Sequence, residues 1–250
     1  MRRQLLVGVV TALLALANAV IAYPNLNATT GLIGVPTANV VAPKTLAGAA
    51  DVVFFDDNVL NVRAIYGITD RLEGGVGVVM GDDSGLILNA KYLLPTTLAK
   101  FNWSAGLSYM TADDPGDGFQ LYFVGTRAFP SSAPAGTRLL GTLGLSFTNM
   151  DDTSALRPFV GGQLLFNPQS ELGVEFELEA GDFDESIFSL YFRRQLNSRW
   201  AGQIGFTNAN GFVGKDDHSL FIGAAYSFTG NGISPVPGGT STATGPGQTY

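Results

Sequence analysis

The stretch LGVEFELEA, Leu172 to Ala180, alternates without a break. Leu172, Val174, Phe176, Leu178 and Ala180 share one parity, and Gly173, Glu175, Glu177 and Glu179 share the other. Side chains along a β-strand point to opposite faces in turn, so this segment has one apolar face and one face bearing carboxylates. Two architectures use such a strand. A soluble sandwich or barrel turns the apolar face inward, whereas a transmembrane barrel turns it to lipid and points the polar face into its interior. In the second case three carboxylates facing lipid would be very costly, so Glu175, Glu177 and Glu179 must line the interior or a wet surface.

The pattern recurs on both sides of this stretch. In VLNVRAIYGI (59–68), Leu60, Val62, Ala64, Tyr66 and Ile68 oppose Asn61, Arg63 and Gly67. In LILNAKY (86–92), Leu86, Leu88, Ala90 and Tyr92 oppose Ile87, Asn89 and Lys91. NWSAGLSY (102–109) and RWAGQIGF (199–206) repeat it, the latter with Gln203 on the polar parity. Turn clusters such as FDDN, ITDR, GDDSG, ADDPGDG, NMDDTS and GDFD punctuate the chain about every ten residues, as in an all-β meander. Strand-like segments begin at Lys44, Val59, Leu72, Leu86, Asn102, Phe119, Arg138, Arg157, Leu172, Ile187, Trp200 and Ser219. The expectation is an all-β fold: a single antiparallel transmembrane β-barrel of about 12 strands, with 10 or 14 as the even-numbered alternatives.

Three features favour the membrane form over a secreted soluble barrel or sandwich that binds a ligand or glycan. The segments have the length needed to cross a bilayer obliquely. Tyr66, Tyr92, Trp103, Tyr109, Trp200 and Tyr226 fall near segment ends, where interfacial girdles would lie. Only 14% of residues are charged, against about a quarter in soluble domains.

The N-terminus, MRRQLLVGVVTALLALANAVIA, has a basic start, a short apolar core and two candidate cleavage points, after Ala19 or after Ala22, so residues 1–22 read as a secretory signal peptide. The localisation that follows is the bacterial cell outer membrane. Net charge is −7, which argues against nucleic acid as a partner. There is no cysteine, hence no disulfide and no thiolate metal site. At the other end, TGNGISPVPGGTSTATGPGQTY (229–250) has too little apolar content to fold and reads as a disordered tail after a barrel spanning 44–228.

The last strand-like segment, SLFIGAAYSF, places Gly223, Tyr226 and Phe228 at the spacing Gly-x-x-aromatic-x-aromatic. This resembles the signal by which the barrel assembly machinery recognises the final strand of its clients. Outer-membrane lipid and that machinery are therefore the expected partners, with oligomeric state open. Near the start, TGLIGVPTANV (30–40) has Gly31, Gly34 and Pro36 inside an apolar string, which suits neither a helix nor a regular strand. It reads as part of an irregular lead-in segment, residues 23–43, packing against, or tucking into, the periplasmic mouth. The string Gly31 to Ala38 and the turn in IYGITDRLEGGVGV resemble YjbH-like outer-membrane proteins. That resemblance implies a β-barrel associated with exopolysaccharide production or export, and it supplies no catalytic residues.

The functional expectation is a narrow pore or a structural barrel, not an enzyme, with no cofactor and no metal. The sole histidine, His218, lies in a KDDHS turn, and its neighbour Ser219 points to the opposite face, a poor arrangement for nucleophile and base. The acidic turns match no calcium-loop pattern. Candidate lumen-lining residues are Asn61, Arg63, Asn89, Lys91, Gln120, Glu175, Glu177, Glu179, Arg193 and Gln203. The glutamates are expected to pair partly with arginines in a narrow interior that passes small cations slowly.

Overall fold

The structure, a computed structural model, describes residues 23–54, 58–81, 84–112, 116–129, 137–150, 153–167, 169–178, 186–210 and 213–228. The signal peptide, the tail and Glu179 lie outside them. Twelve strands follow in order: β1 (Leu46–Phe54), β2 (Asn58–Gly67), β3 (Leu72–Met80), β4 (Gly85–Leu98), β5 (Phe101–Ala112), β6 (Gly118–Phe129), β7 (Arg138–Met150), β8 (Thr153–Asn167), β9 (Ser170–Glu177), β10 (Ile187–Gln195), β11 (Trp200–Asn210) and β12 (Val213–Ser227). Each pairs antiparallel with the next, and β12 pairs with β1 from Ala47 to Val53, so the sheet closes into a barrel without free edges. β1 begins at Leu46 rather than Lys44, β8 at Thr153 rather than Arg157, and β12 at Val213 rather than Ser219. The two longer strands start early because the backbone ladder continues past the amphipathic stretch; Thr153 and Ser154 still pair with Met150 and Asn149.

An even strand number brings the start of β1 and the end of β12 to one end, here called proximal; the opposite end is distal. Outward positions form an apolar band in which Leu88, Leu107, Leu121, Leu145, Val160, Val174 and Leu190 are all exposed. Aromatic rings edge it. Tyr66, Tyr92, Trp103, Trp200, Tyr226 and Phe228 lie toward the proximal end, and Phe54, Tyr109 and Phe147 toward the distal end. A surface of this kind is matched to lipid at its centre and to headgroups at its margins.

The interior departs from the simple pattern. Near the distal end both faces of several strands are apolar, and Val53, Val59, Val79, Ile87, Met110, Met150 and Ile187 point inward to form a core. Completing that core are Leu26, Ala28, Leu32, Ile33, Val35 and Ala38, which precede the first strand. Every residue from Tyr23 to Ala38 is buried. The lead-in segment therefore does more than pack against or tuck into the mouth: it runs through the barrel itself, as an internal plug. Ala42 and Lys44 bring the chain out at the proximal end, where the Lys44 amide donates to the carbonyl of Gly67 at 2.7 Å.

Candidate functional site

The plug contains no Asp, Glu, Lys or Arg between Tyr23 and Pro43. Its backbone groups are buried, so their hydrogen bonds have to come from within the segment or from the wall. Two isolated bridges, Pro24 to Thr30 and Gly31 to Pro36, give it a compact looped form. The wall supplies the rest.

Glu175, in the middle of β9, is the strongest anchor. Its carboxylate accepts from the backbone amides of Ile33 (2.9 Å), Gly34 (2.7 Å) and Val35 (3.1 Å), and from Ser189 Oγ (2.8 Å). Successive amides converging on one carboxylate make an anion-binding concavity. Pro36, which has no amide hydrogen, follows directly after this run. On the other side of the barrel Glu73 accepts from the amides of Thr30 (2.9 Å) and Val41 (2.8 Å) and from Thr29 Oγ1 (2.5 Å). Lys91 Nζ lies 2.9 Å from Glu73 and donates to the carbonyls of Thr30 (2.9 Å) and Thr37 (3.1 Å). Thr126 Oγ1 accepts from the Ala38 amide at 2.9 Å, and Ser104 Oγ donates to the Ala38 carbonyl at 2.6 Å. Arg193 Nη2 donates to the Leu32 carbonyl at 3.0 Å, and its guanidinium lies between the rings of Tyr23 (4.3 Å) and Tyr191 (4.8 Å).

Tyr23 donates its hydroxyl to Asp51 at 3.0 Å, and Asp51 also accepts from Arg63 and from Gln203 Nε2. Glycines complete the fit. A Cβ on Gly75 would lie 1.7 Å from the carbonyl oxygen of Ala28, and one on Gly161 would lie 2.2 Å from Leu32 Cδ1. Ala28 itself holds a left-handed φ of 52° to present that carbonyl.

Asn61, Arg63, Asn89, Lys91, Gln120, Glu175, Glu177, Arg193 and Gln203 are all buried inside the barrel. They do not form one cluster. Arg193 meets Gln203 at 3.2 Å, Glu177 meets Arg157 at 3.6 Å and Ser146 at 2.7 Å, and Asn89 meets Ser108 at 2.5 Å. Gln120 donates to Thr148 at 3.4 Å, and Asn61 faces Asp51 across the β1–β2 ladder. The expected pairing of glutamates with arginines holds for Glu177. Glu175 is different: plug amides and a serine satisfy it instead.

Sequence reasoning missed four partners: Asp51, Glu73, Arg157 and Glu171. Register is the signal that would have found two of them, since Glu73 lies directly opposite Lys91 and Glu171 directly opposite Arg193. Gly223 faces inward against Asp51, while Tyr226 and Phe228 face out and pack ring to ring at 4.9 Å. The side chain of His218 lies outside the described residues.

No protein-family model and no curated protein sequence matches the chain. Solved structures do. The KdgM porin superposes with a TM-score of 0.59 at 13% identity, over 73% of this chain and 99% of that one. The Omp33 outer membrane protein of Acinetobacter baumannii gives 0.52 at 12% identity, over 75% and 99%. The NanC porin gives 0.51 at 8% identity, over 72% and 98%. At such identities the likeness is one of architecture: the chain has the closed antiparallel barrel fold of outer-membrane proteins.

Proposed function

We propose that this protein is an outer-membrane channel held closed by its own N-terminal segment. The observation that carries the reading is Glu175, whose carboxylate binds three consecutive plug amides in the middle of the barrel. A buried carboxylate that relies on a separable segment for its donors is a latch. The apolar exterior supports lipid as the surrounding solvent and disfavours the soluble alternative, because rows of exposed leucine and valine would drive aggregation in water. The resemblance of Gly31 to Ala38 to YjbH-like proteins supports a link to exopolysaccharide production or export. Comparing surface polysaccharide in cells with and without the gene tests that link.

A permanently closed structural barrel is the second reading, favoured by the wall glycines that seat the plug closely. Planar-bilayer recording separates the two. Channel function predicts a silent or rarely opening full-length protein and steady conductance from a folded variant lacking residues 24–40. A folded variant that stays silent at all voltages points to the structural barrel.

A further inference from the structure

The geometry points to a phospholipid site on the outer face of the closing seam, where β12 meets β1 and β2. The inference rests on the membrane reading above. Outward positions here are unusually small. Ala224 lies across the ladder from Ala50, and Gly48 lies across from Ala64, so four small residues form the floor of a groove of about 470 Å³. Elsewhere on the band outward neighbours such as Leu88, Leu107 and Leu121 fill the surface. One wall is valine, from Val76 and Val78 on β3. The other is aromatic: Trp200 packs on Tyr226 at 4.7 Å, and Phe228 leans over Gly48. Toward the distal end the next row, Ile222, Val52 and Leu60, is large again and closes the groove.

Chemistry at the proximal margin selects the occupant. Arg199 is exposed on the β10–β11 turn, and its Nη1 donates to the Tyr226 hydroxyl at 3.1 Å. A guanidinium is thus held at the outer end of the aromatic wall, at the depth where that wall marks the headgroup layer. Guanidinium groups bind phosphate through paired donors, and basic groups beside apolar slots are the usual recognition element for anionic lipid. An apolar dent on a lipid-facing surface forfeits dispersion contacts unless a chain fills it. We therefore assign the groove to one acyl chain of an anionic phospholipid, with its phosphate on Arg199.

The test uses full-length protein refolded into vesicles of equal phosphatidylglycerol and phosphatidylcholine, then released into mild detergent for native mass spectrometry. The wild type is expected to retain one phosphatidylglycerol several-fold over phosphatidylcholine. Arg199→Gln should erase the preference while some lipid remains, and Ala50→Leu should remove the lipid altogether. Ala224→Leu serves the same purpose if Ala50→Leu does not fold, folding being read from heat-modifiable gel mobility. Equal retention of both lipids by the wild type, or an unchanged preference in Arg199→Gln, overturns the site. So does a wild-type dimer that Ala50→Leu splits, because the groove then holds a second copy. Protein that fails to float with the vesicles overturns the membrane reading and the site together; insertion without preference overturns the site alone.

Discussion

Gly75 has no side chain because the carbonyl of Ala28 occupies the space one would need. A backbone atom cannot rotate away, so Gly75→Val should push the plug out of its seat. Gly161→Ala meets the movable tip of Leu32, with the Val174 carbonyl oxygen at 3.3 Å, and should be tolerated far better. The chain has no cysteine, so a single Val35→Cys reports directly on the plug. Val35 is fully buried, and its cysteine should resist a maleimide in the otherwise native protein and react rapidly in the Gly75→Val background. Equal protection in both would mean the plug does not depend on that seat. On the outer face, depth decides the cost of charge. Leu143 lies near the middle of β7 and Leu139 near its proximal end, both exposed. Leu143→Arg should cost about 2–4 kcal/mol in a refolding titration into lipid vesicles, and Leu139→Arg only about 0–1 kcal/mol. Similar losses at both positions would contradict the placement of the membrane.

At the scale of strands and hairpins most of the molecule was legible. Alternation and turn clusters together locate the twelve strands, and Leu172 to Leu178 keeps the alternation throughout. The ends of the strands were less legible, since backbone pairing continues into polar turns that carry no alternation, as at Thr153. The plug was not legible as a plug. Its string of Gly, Pro, Thr and Asn shows neither period, and its hydrogen-bond partners are as distant in sequence as Glu175. Nor did the apolar inward positions Val53, Val59 and Val79 stand out, because their outward neighbours are apolar too. One hairpin departs from ordinary turn chemistry. Ala99 and Lys100, between β4 and β5, both hold left-handed φ values, 54° and 66°, without a glycine or asparagine. Such a conformation costs an L-residue roughly 1–2 kcal/mol. Ala99→Asn with Lys100→Gly should therefore stabilise the barrel by about 1 kcal/mol, the type I′ hairpin preferring that dipeptide. A higher urea midpoint at unchanged slope would show it; a lower midpoint would mean that the native side chains make compensating contacts.

A barrel of twelve strands is wider than the eight-stranded size that its own side chains can fill, and narrower than barrels of about 16–18 strands, which leave a broad aqueous channel. The plug resolves that intermediate width by adding a core of its own. It does so without charge, so the electrostatics of the interior belong to the wall. Four acids there are matched: Asp51 by Arg63, Glu73 by Lys91, Glu171 by Arg193 and Glu177 by Arg157. Glu175 forms no ion pair among the described residues and depends on the plug amides. Among the described residues, removing the plug therefore leaves four neutral pairs and one carboxylate, Glu175, which keeps the hydrogen bond from Ser189. In a narrow passage with low-dielectric walls, a single uncompensated charge raises the local concentration of counter-ions and sets selectivity. The variant lacking residues 24–40 should accordingly favour potassium over chloride in a salt gradient, with a reversal potential of the matching sign. Glu175→Gln in that background should bring the reversal potential close to zero without closing the pore. Glu177→Gln should likewise move the preference toward chloride, because it removes the carboxylate that lies 3.6 Å from Arg157. An open pore that selects anions, or one indifferent to Glu175→Gln, would show that the wall pairs separate once the plug is gone.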